Sequence, residues 1–208
     1  MLIHGAERVV SPGAERLFEG LRRPKDVIGR WGAEIPPADR RSAVKELVLP
    51  EGRFFLKIYA YSGFWRLRTI FIQARARREY RNLRALAELG FDVPEAVAYG
   101  QERCLGFLID SFLLTRAIEN AVELRALIDR PGEAPFPLPG PRERRALIER
   151  FAKILRGAHE QRFFLHTLRA KNLLLSHDGK RHRLHVIDVP FAGIWRWRLF
   201  PRAGRVRD

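Results

Sequence analysis

Two short segments near residue 50 alternate between apolar and polar positions in the manner of β-strands. They are AVKELVL (43–49) and RFFLKIY (53–59), and the intervening PEG carries turn-forming proline and glycine. The alternation predicts that the second strand has two different faces. One face carries Phe54, Leu56 and Ile58, and the other carries Phe55, Lys57 and Tyr59.

The period changes to that of an amphipathic helix from Gln73 to Leu89, and Gly90 ends the segment. Its expected apolar stripe consists of Ala76, Tyr80, Leu83, Leu86 and Ala87. Two further strands are predicted in VPEAVAYG (93–100) and LGFLIDSFLLT (105–115). Residues 1–40 are rich in Gly, Pro and Arg, and they give only a weak helical segment around 14–21.

The strongest boundary signal is RPGEAPFPLPGP (130–141), which contains five prolines. A second long helix follows at 142–160, with Leu147, Phe151, Ile154, Leu155 and Ala158 on its apolar side. The pattern therefore divides the chain into an N-terminal extension (1–40), a β-rich lobe with one helix (41–130) and a mainly helical lobe (131–208). This is an α+β organisation.

The composition limits the classes of binding partner and the cellular compartment that we expect. Of the 208 residues, 39 are Lys or Arg and 24 are Asp or Glu, giving a net charge of +15. Such a charge attracts nucleic acid, an anionic membrane surface or a phosphorylated substrate. The single Cys104 excludes an internal disulfide and fits a reducing cytoplasm. We see no secretory segment near Met1 and no apolar run long enough to span a bilayer, so we expect a cytoplasmic protein that could also lie on the inner membrane.

Lys57 and Glu79 form the first candidate constellation. A lysine between aromatic residues on a half-buried strand face is costly unless an anion meets it. Glu79 lies on or beside the apolar stripe of the 73–89 helix, where a partner is also expected. The alternatives are a lysine whose ammonium reaches water from an edge strand, and a local ion pair between Glu79 and Arg75 or Arg78.

Asn172 and Asp188 form the second constellation. KNLLLS (171–176) and RLHVID (183–188) are predicted to pair as a hairpin through a turn at Asp178-Gly179. With the hairpin roughly centred on Lys180, Asn172 and Asp188 are each eight residues from its centre and should meet at its open end. Amide and carboxylate oxygens there suit Mg²⁺. An Asx turn at each strand end is the alternative.

These four residues occur in the order found in protein-kinase-like phosphotransferases. More narrowly, FFLKIY, ARREYRNLRALAELGFDVPEAVAYG, GFLIDSFLLT, LRGAHEQRFF and AKNLLL…HVIDVP resemble the lipopolysaccharide kinase (Kdo/WaaP) family, over roughly residues 40–192. The resemblance implies a kinase-like fold with a truncated C-lobe. It implies Lys57 as phosphate anchor, Glu79 as its ion-pair partner, Asn172 and Asp188 as metal ligands, and a nucleotide base near 115–120.

The chain also departs from this family pattern. Leu165 stands where a histidine is expected, and Thr167 stands where the catalytic aspartate is expected. His166 is a weak candidate for a substitute base. The family has a glycine-rich turn between its first two strands that covers the phosphates. In the candidate region of this chain, residues 30–43, the only glycine is Gly32, so no such loop is evident. The sequence also ends soon after Asp188, so we expect a partial C-lobe, either naturally minimal or truncated.

Three functional hypotheses follow. The first is an ATP- and Mg²⁺-dependent kinase acting on a sugar hydroxyl of an anionic lipopolysaccharide-core glycolipid. The second is a pseudokinase that binds nucleotide or a partner without turnover, motivated by Thr167. The third and weakest is a basic nucleic-acid-binding protein; Trp195 and Trp197 in the basic tail could stack on bases or lie at a lipid interface.

Overall fold

The computed structural model describes residues 4–34, 42–61, 66 and 68–194. Part of the candidate phosphate-covering segment (35–41) and the whole basic tail with Trp195 and Trp197 lie outside these described residues. The chain divides into two compact units. Unit 1 comprises the described residues of Met1–Arg81 and Glu95–Ala117, and unit 2 those of Asn82–Pro94 and Ile118–Asp208.

The described residues form an α+β arrangement. The helices are α1 (Pro24–Arg30), α2 (Arg75–Glu88), α3 (Leu124–Asp129) and α4 (Pro141–Glu160). The strands are β1 (His4–Val10), β2 (Ser42–Leu49), β3 (Gly52–Ala60), β4 (Ala96–Cys104), β5 (Phe107–Arg116), β6 (Ala121–Glu123), β7 (Phe163–Phe164), β8 (Leu173–His177), β9 (His182–Val186) and β10 (Gly193–Ile194). Short 3₁₀ helices cover Glu15–Phe18, Arg68–Phe71, Pro131–Glu133 and Ala170–Asn172.

Unit 1 is built on an antiparallel sheet with the strand order β1-β4-β5-β3-β2. The predicted alternation on β3 is confirmed: Phe54, Leu56 and Ile58 are fully buried on one face. They share a core with Phe18, Val27 and Ile28 of the N-terminal segment. Lys57 and Tyr59 lie on the opposite face, toward α2, because side chains alternate along a strand.

The N-terminal segment is more structured than its sequence pattern indicated. Sequence analysis gave only a weak helix around 14–21, whereas the structure has β1, a 3₁₀ turn at Glu15–Phe18 and α1. Strand β1 pairs with β4 along its length, from His4↔Cys104 to Val10↔Ala98. The described part of residues 1–40, set apart as an extension on sequence, thus contributes a strand and core residues to unit 1. Its apolar residues are spaced too irregularly to give a periodic signal.

Helix α2 lies within the predicted span. Four of the five predicted stripe residues, Ala76, Tyr80, Leu83 and Leu86, are buried. The fifth was wrong: Ala87 is exposed. Leu86, the residue before it, is fully buried, so the buried face of this last turn passes through Leu86 and leaves Ala87 in solvent.

Unit 2 contains α4, the β8–β9 hairpin with β6 at its edge, and the short β7–β10 pair. Helix α4 covers the predicted segment, although only Ala158 of its predicted stripe is fully buried. The chain passes between units at residues 81–82, 94–95 and 117–118, whereas the proline-rich segment had predicted one boundary near residue 130. That segment is fixed within unit 2, since the Pro137 carbonyl accepts from His182 Nε2 at 2.7 Å.

No helix in the described part of the chain is long and apolar enough to cross a bilayer.

Candidate functional site

Lys57 and Glu79 meet in unit 1, 22 residues apart in sequence. The Lys57 ammonium donates to both carboxylate oxygens of Glu79 at 3.2 Å. The lysine side chain is 18% exposed and the glutamate side chain 5%. The structure therefore pairs the lysine with a carboxylate, as one sequence interpretation expected, instead of letting it extend into water.

Tyr59 completes this arrangement, and sequence reasoning did not assign it a role. Its hydroxyl donates to Glu79 Oε2, and its ring centroid lies 5.5 Å from Lys57 Nζ. Tyr59 follows Lys57 by two residues, so both side chains share one strand face. That spacing was the signal that could have identified it.

The elements explain why these groups are held so firmly. Strand β3 lies between β2 and β5, and Lys57 is opposite Val44 on one side and Leu113 on the other. Glu79 belongs to the second turn of α2 and is buried, as are Ala76 and Tyr80 in the unit 1 part of that helix. A charge at the centre of a sheet is stable only if its partner approaches from the covering layer.

Thr167, Asn172 and Asp188 meet in unit 2 through a hydrogen-bond chain. The Asn172 side-chain nitrogen donates to the Thr167 carbonyl at 2.7 Å, and the Thr167 hydroxyl donates to the Asp188 carbonyl at 3.3 Å. Asn172 is buried, whereas Asp188 and Thr167 are half-buried. Because its nitrogen donates to Thr167, the Asn172 amide keeps its oxygen as an acceptor.

The backbone of Asp188 is in the left-handed region, with φ at +56°. Aspartate tolerates this conformation better than most residues, but it remains a strained position. Such positions concentrate where a side chain must be aimed in a particular direction.

The predicted hairpin exists, with its register shifted by one residue. Leu173 pairs with Val186, and the Ile187 N–H donates to the Asn172 carbonyl at 2.9 Å. Asn172 therefore lies opposite Ile187, and its expected partner Asp188 lies one position farther along the chain. The turn spans residues 178–181. Asp178 accepts from the N–H groups of Arg181 and Lys180, which lower the pKa of its carboxyl to about 2.

The other two residues singled out in this loop have different surroundings. Leu165 is buried as an apolar core residue at the position where a histidine was expected. The ring of His166 lies 6.3 Å from that of Phe164 and is half-buried.

Asn82 is a positioning residue that sequence reasoning missed. Its side-chain nitrogen donates to the carbonyls of Val189 and Ala192, both at 2.7 Å, and so fixes the segment that follows Asp188. Asn82 stands three residues after Glu79, where a helix places neighbouring side chains. An uncharged amide within an arginine-rich helix was the available signal.

The donor chemistry fits a hard cation. An amide oxygen and a carboxylate are the groups that Mg²⁺ accepts, with substrate phosphates and water supplying the remaining ligands. Within the described ranges, no group of three or more His, Cys, Asp or Glu side chains is arranged to hold a metal. A two-residue protein contribution is the form that Mg²⁺ commonly takes with phosphorylated substrates.

Comparison with known sequences gives one family. The model described as the lipopolysaccharide kinase (Kdo/WaaP) family matches residues 62–194. This range contains Glu79, Thr167, Asn172 and Asp188, and it begins five residues after Lys57. The lipopolysaccharide core heptose(I) kinase WaaP of Pseudomonas aeruginosa is 30% identical over an alignment of 115 residues, and the match covers 52% of this chain and 42% of that protein. The match thus spans less than half of that relative.

Solved structures agree on the fold. WaaP in complex with acyl carrier protein matches with a TM-score of 0.63 and 24% identity, covering 91% of this chain and 73% of that one. The Rio2 kinase-ADP/Mg²⁺-phosphoaspartate complex from Chaetomium thermophilum matches with a TM-score of 0.54 and 16% identity, covering 88% and 57%. The predicted α+β, protein-kinase-like fold is confirmed.

Proposed function

Because this chain belongs to the lipopolysaccharide kinase (Kdo/WaaP) family, we propose that it transfers phosphate from ATP to a sugar hydroxyl of a lipopolysaccharide-core glycolipid. The buried Lys57–Glu79 ion pair is the observation that carries the proposal. In kinase-like enzymes, a strand lysine held by a helix glutamate orients the nucleotide phosphates. Glu79 and Tyr59 hold the ammonium in place, and the exposed part of Lys57 remains accessible to phosphate oxygens.

The sheet face around Lys57 supports a nucleotide base beside the phosphates. Register places Val44, Lys57 and Leu113 in one row, and Phe55 and Thr115 in the next. Val44 is 59% exposed and Phe55 38% exposed. A planar base covering these apolar side chains would bring its phosphates toward Lys57, near the predicted base position at 115–120.

Asn172 and Asp188 are the residues we propose for Mg²⁺. Bound there with the phosphates, Mg²⁺ would neutralise charge that develops on the transferred group. In this proposal Thr167 holds the Asp188 carbonyl in place and does not act as the base that takes the proton of the acceptor hydroxyl. Its side chain cannot take up a proton at neutral pH as a carboxylate can.

Thr167 also supports the rival function, a pseudokinase. Since phosphoryl transfer has a loose transition state, positioning and electrostatics provide most of the rate. General-base catalysis is worth roughly 10²- to 10⁴-fold. We therefore expect slow transfer by the natural protein, and faster transfer after Thr167→Asp if the native loop lacks a base.

The proposed phosphate acceptor and protein partner rest on the family membership and on the net charge of the chain. The Pseudomonas relative is named as a lipopolysaccharide core heptose(I) kinase, and a solved WaaP was in complex with acyl carrier protein. The net charge of +15 suits an acceptor that is already anionic. We propose a core-oligosaccharide glycolipid as substrate and acyl carrier protein as a partner to be tested by co-elution at low and high salt.

Nucleotide binding is tested first, by thermal unfolding with and without Mg²⁺-ATP. At 100 times Kd, a ligand that binds only the native state stabilises it by about 2.7 kcal/mol. For a chain of this length that corresponds to roughly 5–10 °C in Tm. Asp188→Asn should reduce the shift, whereas Asp129→Asn, which alters an exposed carboxylate on α3, should preserve it. Equal shifts for the wild type and Asp188→Asn would refute the metal assignment.

Phosphate transfer is tested second, with purified lipopolysaccharide core and labelled ATP. Transfer that is lost in Lys57→Met and Asp188→Asn supports the kinase. Nucleotide binding without transfer to any core acceptor, in the wild type and in Thr167→Asp, supports the pseudokinase. Absence of nucleotide binding, with salt-sensitive binding to generic DNA or RNA, would favour the third hypothesis.

A further inference from the structure

Four large apolar side chains are exposed at one corner of unit 1. They are Ile70, Phe71, Ile72 and Leu105, which we call the apolar knob. Phe71 is 90% exposed and Leu105 59%. The two chain segments lie together, because a Cβ placed on Gly106 would be 4.0 Å from two carbons of Ile70. Contiguous exposed apolar surface of this kind commonly marks an interaction site.

The exposure of the knob is built into the fold. The Arg103 guanidinium donates to the carbonyls of Thr69 at 2.9 Å, Gly106 at 2.6 Å and Ile72 at 2.8 Å. The buried Thr69 hydroxyl accepts from the Leu108 N–H at 2.9 Å. These bonds tie the 3₁₀ helix at Arg68–Phe71 to the β4–β5 turn, so the apolar side chains are held outward by a braced backbone.

Leu105 gives an independent indication. It occupies the first position of the two-residue turn between the paired Cys104 and Phe107, with φ at +50°, and Gly106 follows with φ at +84°. A turn with two positive φ values favours Asn, Asp or Gly. A leucine there is strained, and its exposed side chain adds little to the core of unit 1. Strain of this kind points to a function outside the fold.

The charged residues in the chain segment around the knob are all positive. Residues 66–78 contain five arginines, at 66, 68, 75, 77 and 78, and no Asp or Glu. Acidic side chains from other segments meet two of these arginines: Glu7 pairs with Arg77 at 3.4 Å, and Asp110 faces Arg66. Exposed aromatic and aliphatic side chains with adjacent arginines are the composition of surfaces that bind anionic lipid.

We propose that the apolar knob docks unit 1 on an anionic lipid bilayer, with Phe71 and Leu105 entering the boundary between headgroups and acyl chains. Arg68, which is exposed and stands three residues before Phe71, then lies at the level of the lipid phosphates. A side chain that is 90% exposed has almost no protein around it, so the knob projects and offers no groove for a partner. Four residues are also a small area beside the roughly 800 Å² per partner of a stable protein interface. This docking concerns lipid binding alone and is independent of phosphate transfer.

Vesicle flotation tests the proposal with the full chain. The vesicles contain phosphatidylcholine alone or with phosphatidylglycerol, and no lipopolysaccharide. We expect binding to the anionic vesicles and a roughly tenfold weaker partition for Phe71→Ser. Ile148→Ser, which removes an exposed isoleucine from α4 in unit 2, is the matched control and should bind as the wild type does.

Charge is tested with Arg68→Gln. Removing one arginine near the surface should weaken binding to anionic vesicles about fivefold at low salt and leave binding to neutral vesicles unchanged. Arg156→Gln on α4 is the control for the general effect of lowering the net charge. Equal losses for the two arginine variants would show attraction by net charge only and overturn the proposed surface.

Leu105→Asn separates docking from folding. Because asparagine accepts positive φ more readily than leucine, the variant should have a higher Tm than the wild type while binding vesicles more weakly. A variant with a lower Tm and unchanged vesicle binding would contradict the proposal. So would loss of binding to acyl carrier protein in Phe71→Ser with vesicle binding intact, since the knob would then be a protein-docking surface.

Phosphate transfer to a deacylated, soluble core acceptor is measured in the same variants. Phe71→Ser should retain it, because the knob lies outside the proposed catalytic residues. Retained transfer with lost vesicle binding supports both proposals. Lost vesicle binding is therefore distinguishable from a failure of the proposed kinase function.

Discussion

The ion pair between Lys57 and Glu79 gives the sharpest test of the site geometry. Lys57→Met removes the ammonium that the structure places 3.2 Å from both carboxylate oxygens of Glu79. Glu79→Gln removes the opposite charge and keeps a side chain of similar shape that can still accept from Tyr59. The double variant replaces the charged pair with a neutral one.

The expected magnitude follows from burial. At 3.2 Å, two unit charges attract by about 5 kcal/mol at an effective dielectric constant of 20, before the cost of desolvation is subtracted. Breaking a buried pair by removing one partner typically costs about 3–5 kcal/mol. Because the Lys57 side chain is 18% exposed, we expect the lower end, about 3 kcal/mol, for Lys57→Met. The double variant should recover about 2 kcal/mol relative to the sum of the single variants.

Urea unfolding is the assay, followed by circular dichroism and tryptophan fluorescence. An internal control is available in the same sheet: Arg53 on β3 and Glu46 on β2 form an ion pair at 2.6 Å whose side chains are each 45% exposed. That pair should show a coupling of about 0.2–1 kcal/mol, as exposed pairs do. A coupling for Lys57 and Glu79 no larger than that of Arg53 and Glu46 would refute the reasoning, because burial would then have no effect on the pair.

Two further predictions concern stability. Gly100→Ala would place a Cβ 2.4 Å from a ring carbon of Phe112, so we expect a loss of about 1–3 kcal/mol in urea unfolding, whereas Gly5→Ala on β1, which meets nothing within 4 Å, should be far milder. A similar loss in both variants would show that the close contact with Phe112 is not the cause. Burial lowers the pKa of His185 below its ordinary 6.5, so the unfolded chain binds a proton at this position more readily than the folded chain. The stability that the folded state gains from a neutral His185 is therefore complete above about pH 6.5 and is lost as the pH falls through the folded pKa. Tm should therefore decline more steeply below pH 6.5 in the wild type than in His185→Gln, and identical profiles would contradict the assignment.

Local patterns in the sequence were enough for the regular elements. The alternation around Lys57 identified β3 and its two faces, because the side-chain period of a strand is fixed by the backbone. The 3.6-residue period located α2 and α4, and turn residues located the hairpin near Asn172. These signals are short-range, so they are present in the sequence before any tertiary contact forms. The family resemblance then supplied the roles expected of the candidate site residues.

Other features depended on contacts between distant segments. Phe18, Val27 and Ile28 complete the core of the sheet, although the N-terminal segment has no clear hydrophobic period. Their burial depends on contacts with residues that are distant in sequence. The one-residue shift of the β8–β9 register came from a four-residue turn in which Asp178 binds two backbone N–H groups.

The sequence by itself determined which residues could carry charge, and on which face of which element they stand. Only the tertiary structure decided that Glu79 meets Lys57 and Tyr59, and that Asn82 fixes the segment after Asp188. The same holds for the exposure of Phe71 in a segment that Arg103 links to the β4–β5 turn. The physical reason is the range of the interactions. Backbone geometry and turn preference act over a few residues, whereas ion pairing, burial and exposure depend on which distant segments pack together.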